Sequence, residues 1–362
     1  MRLKIEVGEH AVVTQAAVRE PQLFKLRSGD LLLTYHVQPD VHFAERHGLR
    51  SRDGGRTWED EPRRAHREQM IGQGADGTVL APDIYTFERR PGEYVGAYFR
   101  SDDGGASFTG PHELTLLIDR VASRGYPEPE HFPPEDHPLY KFYQPLPDFY
   151  RPTVARASQR QGPVFWRCLV EHQGRWLATM QCKYHGDSFY RTVLVASEDR
   201  GRTWVFVNNI ADFRDGVPGD GFCEPVLCRT ADGNLLCVMR RGGNLPLAQC
   251  RSLDHGHSWS APELLVGHGV DPDLCLMSGG VLACTYGRPG LHIMFSPDGC
   301  GQAWGYRTEL GSCRSSAQMG MVEIEPGRLL IVYDRVDSNA PEAGRRPEHC
   351  SIRALTVKVS RC

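Results

Sequence analysis

The chain has 362 residues, room for about two or three ordinary domains or one large repetitive one, and its 40% hydrophobic and 24% charged residues are the composition of a globular protein. A formal net charge of −3 supplies no field that draws nucleic acid or an anionic membrane surface, so neither is expected as a partner. No apolar run approaches the roughly 18 residues of a membrane-spanning helix, and the charged, alternating start MRLKIEVGEH does not read as a secretion signal, so the expected location is the cytoplasm.

In chain order, LKIEV at Leu3 reads as a first strand. A first unit opens near Arg19, where PQLFKLRSGDLLLTYHV gives two apolar runs joined by a Gly-containing turn. It closes on SRDGGRTW at Ser51. A second unit opens near Asp76 and closes on SDDGGASF at Ser101. Residues 111–151 are rich in proline and aromatics (YPEPEHFPPEDHPLYKFYQPLPDFYRP) and read as a long ordered loop lying over one face. Further units open near Phe165, Glu224, Asp271 and Met319. Three of them carry SEDRGRTW at Ser197, SLDHGHSW at Ser252 and SPDGCGQAW at Ser296, the last with one extra residue.

The steps between motif starts are 50, 96, 55 and 44 residues, the longest holding the insertion. A recurrence of about 50 residues points to an array of small sheets. Each unit supplies a hairpin, a third strand running into the motif and a fourth after it, which is the content of a propeller blade. The expected fold is all-β: a six-bladed β-propeller with four-stranded antiparallel blades. It spans 1–362 as one domain, with the inserted loop at 111–151 and a ring closed by pairing LKIEV with SIRALTVKV. The twelve cysteines all lie between Cys168 and Cys362 without a CxxC pair. They read as free thiols in a reducing compartment and give little support to a zinc site.

Ser-x-Asp-x-Gly-x-Thr-Trp suits a tight hairpin. The Asp accepts bonds from its own turn, Gly supplies a positive φ and Trp buries a large face. Chemistry has no use for five copies at five places around a ring, so the motif belongs to the frame. The pattern resembles the Asp-box of the sialidase superfamily, whose members are six-bladed propellers. Such boxes also occur in other glycosidases, in polysaccharide lyases and in non-enzymatic binding propellers, so they mark the fold better than the function.

The resemblance implies a site at the ends of the inner strands. Arg19 of Arg19-Glu20-Pro21, Arg240 of Arg240-Arg241 (with Arg241 as its alternative) and Arg288 of TYGRPGLH match three arginines that clamp a sialic acid carboxylate. Three guanidinium groups converging on one small anion make a demanding, bidentate site. Glu224 in GFCEPVLC matches the glutamate that polarises the nucleophile. Asp40 in HVQPDVHF matches the acid/base aspartate, with His36 and His42 as nearby substitutes. The chain departs from the family where a tyrosine nucleophile is expected, since Gln318 or Met319 stands there. Tyr286, Tyr184 or a tyrosine of the 111–151 loop is one repair. Direct attack by water activated by Glu224, with inversion, is another. Elimination from a different acidic sugar, with Tyr184 and His185 of KYHGD as base and acid, is a third. Asp271 and Asp273 are spare carboxylates for base work or hydroxyl recognition.

The expected function is a sialidase-type glycoside hydrolase releasing a terminal acidic sugar, sialic acid first, from a glycan substrate. The alternatives are a lyase or glycosidase for uronic acid or rhamnose-containing glycans, and a non-catalytic carbohydrate-binding propeller. No metal or cofactor is called for. The aromatic insertion either caps the pocket or pairs two copies into a homo-oligomer, and both stay open.

Overall fold

The computed structural model describes residues 2–16, 18–37, 46–61, 71–125, 160–212, 221–242, 245–265, 268–336 and 349–362. Among them every extended regular element is a strand. After β1 (Leu3–Val7) and β2 (Ala11–Gln15) comes a four-stranded sheet of β3 (Val18–Lys25), β4 (Leu31–Val37), β5 (Arg46–Ser51) and β6 (Glu59–Asp60). A ten-stranded sheet follows. It contains β7 (Gly72–Gln73), β8 (Val79–Pro82), β9 (Tyr85–Arg90), β10 (Glu93–Ser101), β11 (Thr109–Leu117), β12 (Arg124–Gly125), β13 (Arg160–His172), β14 (Arg175–Cys182), β15 (Arg191–Ser197) and β16 (Thr203–Ala211). Two further four-stranded sheets are β17 (Phe222–Arg229), β18 (Leu235–Arg241), β19 (Ala248–Ser252) and β20 (Glu263–Leu264), then β21 (Val270–Leu276), β22 (Leu282–Gly287), β23 (Leu291–Ser296) and β24 (Gly305–Gly311). The last sheet is β25 (Met319–Glu325), β26 (Arg328–Val336) and β27 (Cys350–Arg361), with β1 and β2 both paired to β27.

The expected closure is present: Leu3 lies opposite Arg361 and Val7 opposite Val357, so the first strand completes the last sheet. The even division into four-stranded sheets is interrupted in the second and third units. There β9 pairs with both β10 and β13, and β11 runs parallel to β16. These pairings close seven strands, β9, β10, β11, β16, β15, β14 and β13, into a barrel inside the ten-stranded sheet. The cause is local. Strand β8 is short, and the chain after it folds into an extra hairpin whose free edge meets the neighbouring unit. Residues 111–117, the start of the proline- and aromatic-rich stretch, belong to β11; residues 126–159 lie outside the described residues.

The sheets are arranged as a propeller-like ring, and apolar side chains fill the joints between them. Leu23, Leu31 and Leu33 of the first sheet pack on Leu330, Val332 and Ile352 of the last. Leu26 and Leu32 meet Val79, Ala81 and Phe99. Leu177 and Leu194 meet Leu227 and Leu235; Val226 and Leu236 meet Leu282 and Met294; Ala283 and Ile293 meet Met319 and Met321. Burying each such valine, leucine, isoleucine, methionine or phenylalanine side chain contributes about 1.5–3 kcal/mol.

The five Ser-x-Asp turns lock these joints. In the first, the Ser51 hydroxyl donates to Asp53 Oδ1 at 2.8 Å and accepts the Gly55 N–H at 2.8 Å, while Asp53 also accepts the Thr57 N–H at 2.9 Å. Both serine bonds repeat at Ser101, Ser197, Ser252 and Ser296, and Asp103, Asp199 and Asp254 likewise accept the N–H four residues on, whereas Asp298 accepts the Cys300 N–H. Gly55 has φ of 88°, and a methyl added to it would lie 2.5 Å from Leu330 of the last sheet. Gly256 stands in the same way against Leu194, at 2.4 Å. Glycine is needed there for both its backbone angle and its lack of a side chain. Each turn therefore seats on a leucine of the sheet before it.

Candidate active site

Leu235 pairs with Arg229 on one side and Ser252 on the other, whereas Phe222 pairs with Arg241. The Ser-x-Asp turn thus sits at one end of the sheet, and the start of the inner strand with the exit of the second strand at the other. Equivalent pairings, Val18 with Val37 and Val270 with Gly287, put Arg19, His36, Asp271 and Arg288 at that same end.

The inner strands β3, β13, β17 and β21 each begin with a break in register. Glu20, Arg167, Glu224 and Asp271 stand at these breaks with left-handed backbones, φ 57°, 48°, 48° and 46°. A non-glycine residue held so costs about 1–3 kcal/mol, and a bulge re-aims the side chain it carries. Pro21, Pro225 and Pro272 follow three of the four. With no N–H, proline leaves no orphan donor where the ladder is interrupted.

Arg167 ties the ring across its centre. Its Nη2 and Nε donate to the Asp271 carboxylate, the latter at 3.2 Å, and Nη1 donates to Gln22 Oε1 at 3.0 Å and to the Met319 carbonyl at 2.8 Å. Asp273 Oδ2 is 3.6 Å from the same guanidinium, and Trp166 Nε1 donates to Asp271 at 3.0 Å. Arg167 and Asp271 side chains are 2% and 1% exposed. Four inner strands meet through this one side chain. Asp273 also accepts the N–H groups of Leu274 and Met321. Burial nevertheless pushes its carboxyl up to about 6.

Glu224 adjoins this network. Its Oε1 accepts from Arg240 Nη1 at 2.6 Å and its Oε2 from the Asp271 N–H at 2.9 Å; its own N–H donates to Gln181 Oε1 at 2.8 Å. Burial first, and then the charge of Asp271, raise its proton affinity above that of an ordinary glutamate, against the pull of Arg240. It is a carboxylate oriented by two donors and made more basic by its surroundings.

Residues 151–346 match the family described as BNR repeat-like domain. The chain belongs to that family. No curated protein matches it in sequence. In fold, this BNR repeat-like protein is similar to a Dyadobacter fermentans protein of unknown function, with TM-score 0.71 and 17% identity over 98% of this chain and 99% of that one. It is similar to a Hadza microbial sialidase, with TM-score 0.61 and 16% identity over 97% and 68% of the two chains. It is also similar to an α-L-arabinofuranosidase of Fusarium graminearum complexed with arabinobiose, with TM-score 0.64 and 14% identity over 97% and 98%.

The BNR repeat-like chain gathers some predicted residues and separates others. Glu224, Arg240, Asp271 and Asp273 are brought together, and Arg240 rather than Arg241 meets Glu224. The Arg241 guanidinium lies 5.9 Å over the Phe222 ring. Gln318 directly precedes β25, whose first carbonyl holds Arg167. Arg288 is exposed, with φ of 60°, and its Nη2 donates to the Ser316 carbonyl at 2.8 Å.

Tyr286 is placed away from this cluster. It packs with Val226, Leu247 and Leu274 between two sheets and stacks on His292, so its phenol is part of the core. Tyr184 donates to Asn209 Oδ1 at 2.8 Å and is covered by Arg191 at 4.8 Å. Burial raises its phenol above the ordinary value. His185 is exposed on the turn after β14, its N–H bonded to the Arg120 carbonyl. Arg19 opens β3 opposite His36, its side chain outside the described set, and Asp40 and His42 also lie outside it. Among the described residues no group of three or more His, Cys, Asp or Glu is placed to hold a metal ion.

Sequence reading missed Arg167, Trp166 and Glu20. Glu20 lies 3.8 Å from His36. The signal for two of these sites was present as a recurrent acid-proline pair, Glu20-Pro21, Glu224-Pro225 and Asp271-Pro272, with Trp166-Arg167-Cys168 filling the same slot in the third unit.

Proposed function

We propose that the protein is a glycoside hydrolase whose active site lies at the inner-strand end of the ring, opposite the Asp-box turns. The observation that carries this reading is Glu224, a buried carboxylate of raised proton affinity on a left-handed bulge, held by Arg240 and by the Asp271 N–H. A proton affinity raised above that of an ordinary carboxylate suits a general base. Glu224 takes a proton from water as the water oxygen bonds to the anomeric carbon. The glycosidic C–O bond breaks, and its oxygen takes a proton from an acid, for which Asp40 is the candidate. Attack by water gives inversion. This route needs no tyrosine at Gln318. We read the ten-stranded sheet as two blades, β7-β8-β10-β11 and β13-β14-β15-β16, fused through β9, so that the whole is a single six-bladed domain with one insertion.

A terminal acidic sugar, sialic acid first, is the preferred substrate, because Arg19, Arg240 and Arg288 all come to the end that holds Glu224. A neutral furanoside is the second reading. It is favoured by the ion pair that engages Arg240 with Glu224 and by the neutral amide of Gln318 in the tyrosine's place. The likeness to an arabinofuranosidase supports it as well. The exposed His185 and the hydrogen-bonded, covered Tyr184 speak against the elimination route.

Fluorogenic α-sialosides and α-L-arabinofuranosides, incubated with wild type and Glu224→Gln, test the proposal. Release of one sugar by wild type, with a 10²–10⁴-fold loss in the variant at unchanged thermal stability, is the expected result. Release of sialic acid supports the first substrate and release of arabinose the second. Turnover of neither, or full turnover by Glu224→Gln, removes the reading.

A further inference from the structure

Gln318 is 8% exposed, and its amide oxygen is buried with no hydrogen-bond partner among the described residues. A buried acceptor without a donor costs about 1–3 kcal/mol, and few native groups are left so.

The backbone that carries it is held on both sides. Asp334, fully buried at the end of β26, accepts the Ser316 N–H at 3.1 Å, the Ser316 hydroxyl at 2.5 Å and the Ser315 hydroxyl at 2.9 Å. The Ala317 N–H donates to Ser315 Oγ at 2.9 Å and the Gln318 N–H to Ser316 Oγ at 3.3 Å. Ala317 is held left-handed, φ 66°, so close to Gly287 that a methyl there would come within 2.3 Å of its own. On the far side, the Met319 carbonyl is held by Arg167. The Gln318 backbone is therefore fixed between a clasp that also engages Arg288 and the central arginine, at the end of the ring that carries Glu224. A pre-organised binding group has this form: its position is secured by neighbours and its own hydrogen bond is left to the ligand.

We infer that Gln318 is a recognition residue whose amide oxygen accepts a hydroxyl O–H of the sugar bound at this end. The inference rests on reading this end as a sugar site. It adds that the residue in the tyrosine's place reads a neutral hydroxyl and does not attack carbon. The occupant is accordingly a polyol ring with a donor directed at the wall between β21 and β3, whichever sugar class it belongs to.

Two readouts test it, neither needing turnover. Thermal unfolding of ligand-free wild type and Gln318→Leu comes first. Binding of N-acetylneuraminic acid, L-arabinose and D-glucuronic acid to both, by titration calorimetry, comes second. Removal of an unsatisfied buried acceptor raises the melting temperature of Gln318→Leu by about 1–3 °C. Loss of the sugar's hydrogen bond weakens binding of the preferred sugar about tenfold, and a deoxy form lacking the recognised hydroxyl binds both proteins alike. A lower melting temperature for Gln318→Leu, or sugar affinity equal to wild type, overturns the inference. So does the absence of saturable binding of all three sugars to wild type. Binding with the expected loss but without any hydrolysis keeps the inference and removes the hydrolase reading, so the two fail separately.

Discussion

The two ends of the ring use carboxylates in opposite ways. At the turn end, Asp53, Asp103 and Asp254 collect a threonine or serine hydroxyl and then backbone N–H groups, and these bonds pull their carboxyls below the ordinary range, Asp254 to about 2. At the inner-strand end, burial pushes Glu224 and Asp273 upward. A hydrogen-bonded turn carboxylate is charged in its most stable arrangement, so it serves a frame. A buried carboxylate with raised proton affinity is costly to keep charged, and sites of chemistry collect such groups. Residue type does not separate site from frame in this molecule; solvation and bonding do.

The largest expected effect comes from breaking the centre. Arg167→Met leaves Asp271 and Asp273 buried without their cation and is expected to cost about 3–5 kcal/mol, read by urea unfolding at neutral pH. Adding Asp271→Asn recovers part of the loss, because the pair is coupled. Stability equal to wild type for Arg167→Met would show that the four inner strands do not depend on this side chain.

A second test uses the opposite titrations. Asp273 holds its proton more tightly folded, at about 6, than unfolded, where an aspartate titrates near 3.8. Its contribution to stability is thus fully present below about pH 4 and lost as pH rises through 6, an effect of up to about 3 kcal/mol. Asp254 runs the other way. Its contribution is present above about pH 4 and lost as pH falls through 2. Urea unfolding measured from pH 4 to pH 7 is expected to show a decline that Asp273→Asn flattens and Asp254→Asn leaves in place. A decline untouched by Asp273→Asn would break the contrast between the two ends.

The frame was legible because it repeats. Five Ser-x-Asp copies carry their own hydrogen bonds within eight or nine residues, so local sequence contains the whole device, and closure by the first strand followed from counting units. The site was legible in part. Glu224 and Arg240 are sixteen residues apart on adjacent strands, so their meeting could be read from one hairpin. Arg167 could not, since its partners Gln22, Asp271 and Met319 lie 104 to 152 residues away and converge only when the ring closes. Tyr286 was misplaced for a related reason. Strand alternation decides which face a side chain takes, and it turned this phenol into the joint between sheets. The fusion of the second and third units depends on a free edge at β9, which no motif marks.

The smallest effects are expected at the turn end, and their size follows from repetition. Ser197 accepts the Gly201 N–H at 2.9 Å and donates to Asp199 at 2.9 Å, so Ser197→Ala orphans a buried N–H at a cost of about 1–2 kcal/mol. Ser51→Ala, which removes the same bonds from another sheet, is expected to cost a similar amount. The two turns share no partner, so the double variant loses the sum of the single losses to within about 0.5 kcal/mol. The sugar binding proposed for the other end is expected to stay at the wild-type value in all three proteins. Unfolding curves of the singles and the double, beside one sugar titration each, check this. A double loss far above the sum would mean that the turns act as one cooperative belt rather than as independent locks. Altered sugar affinity would mean that the frame reaches the site.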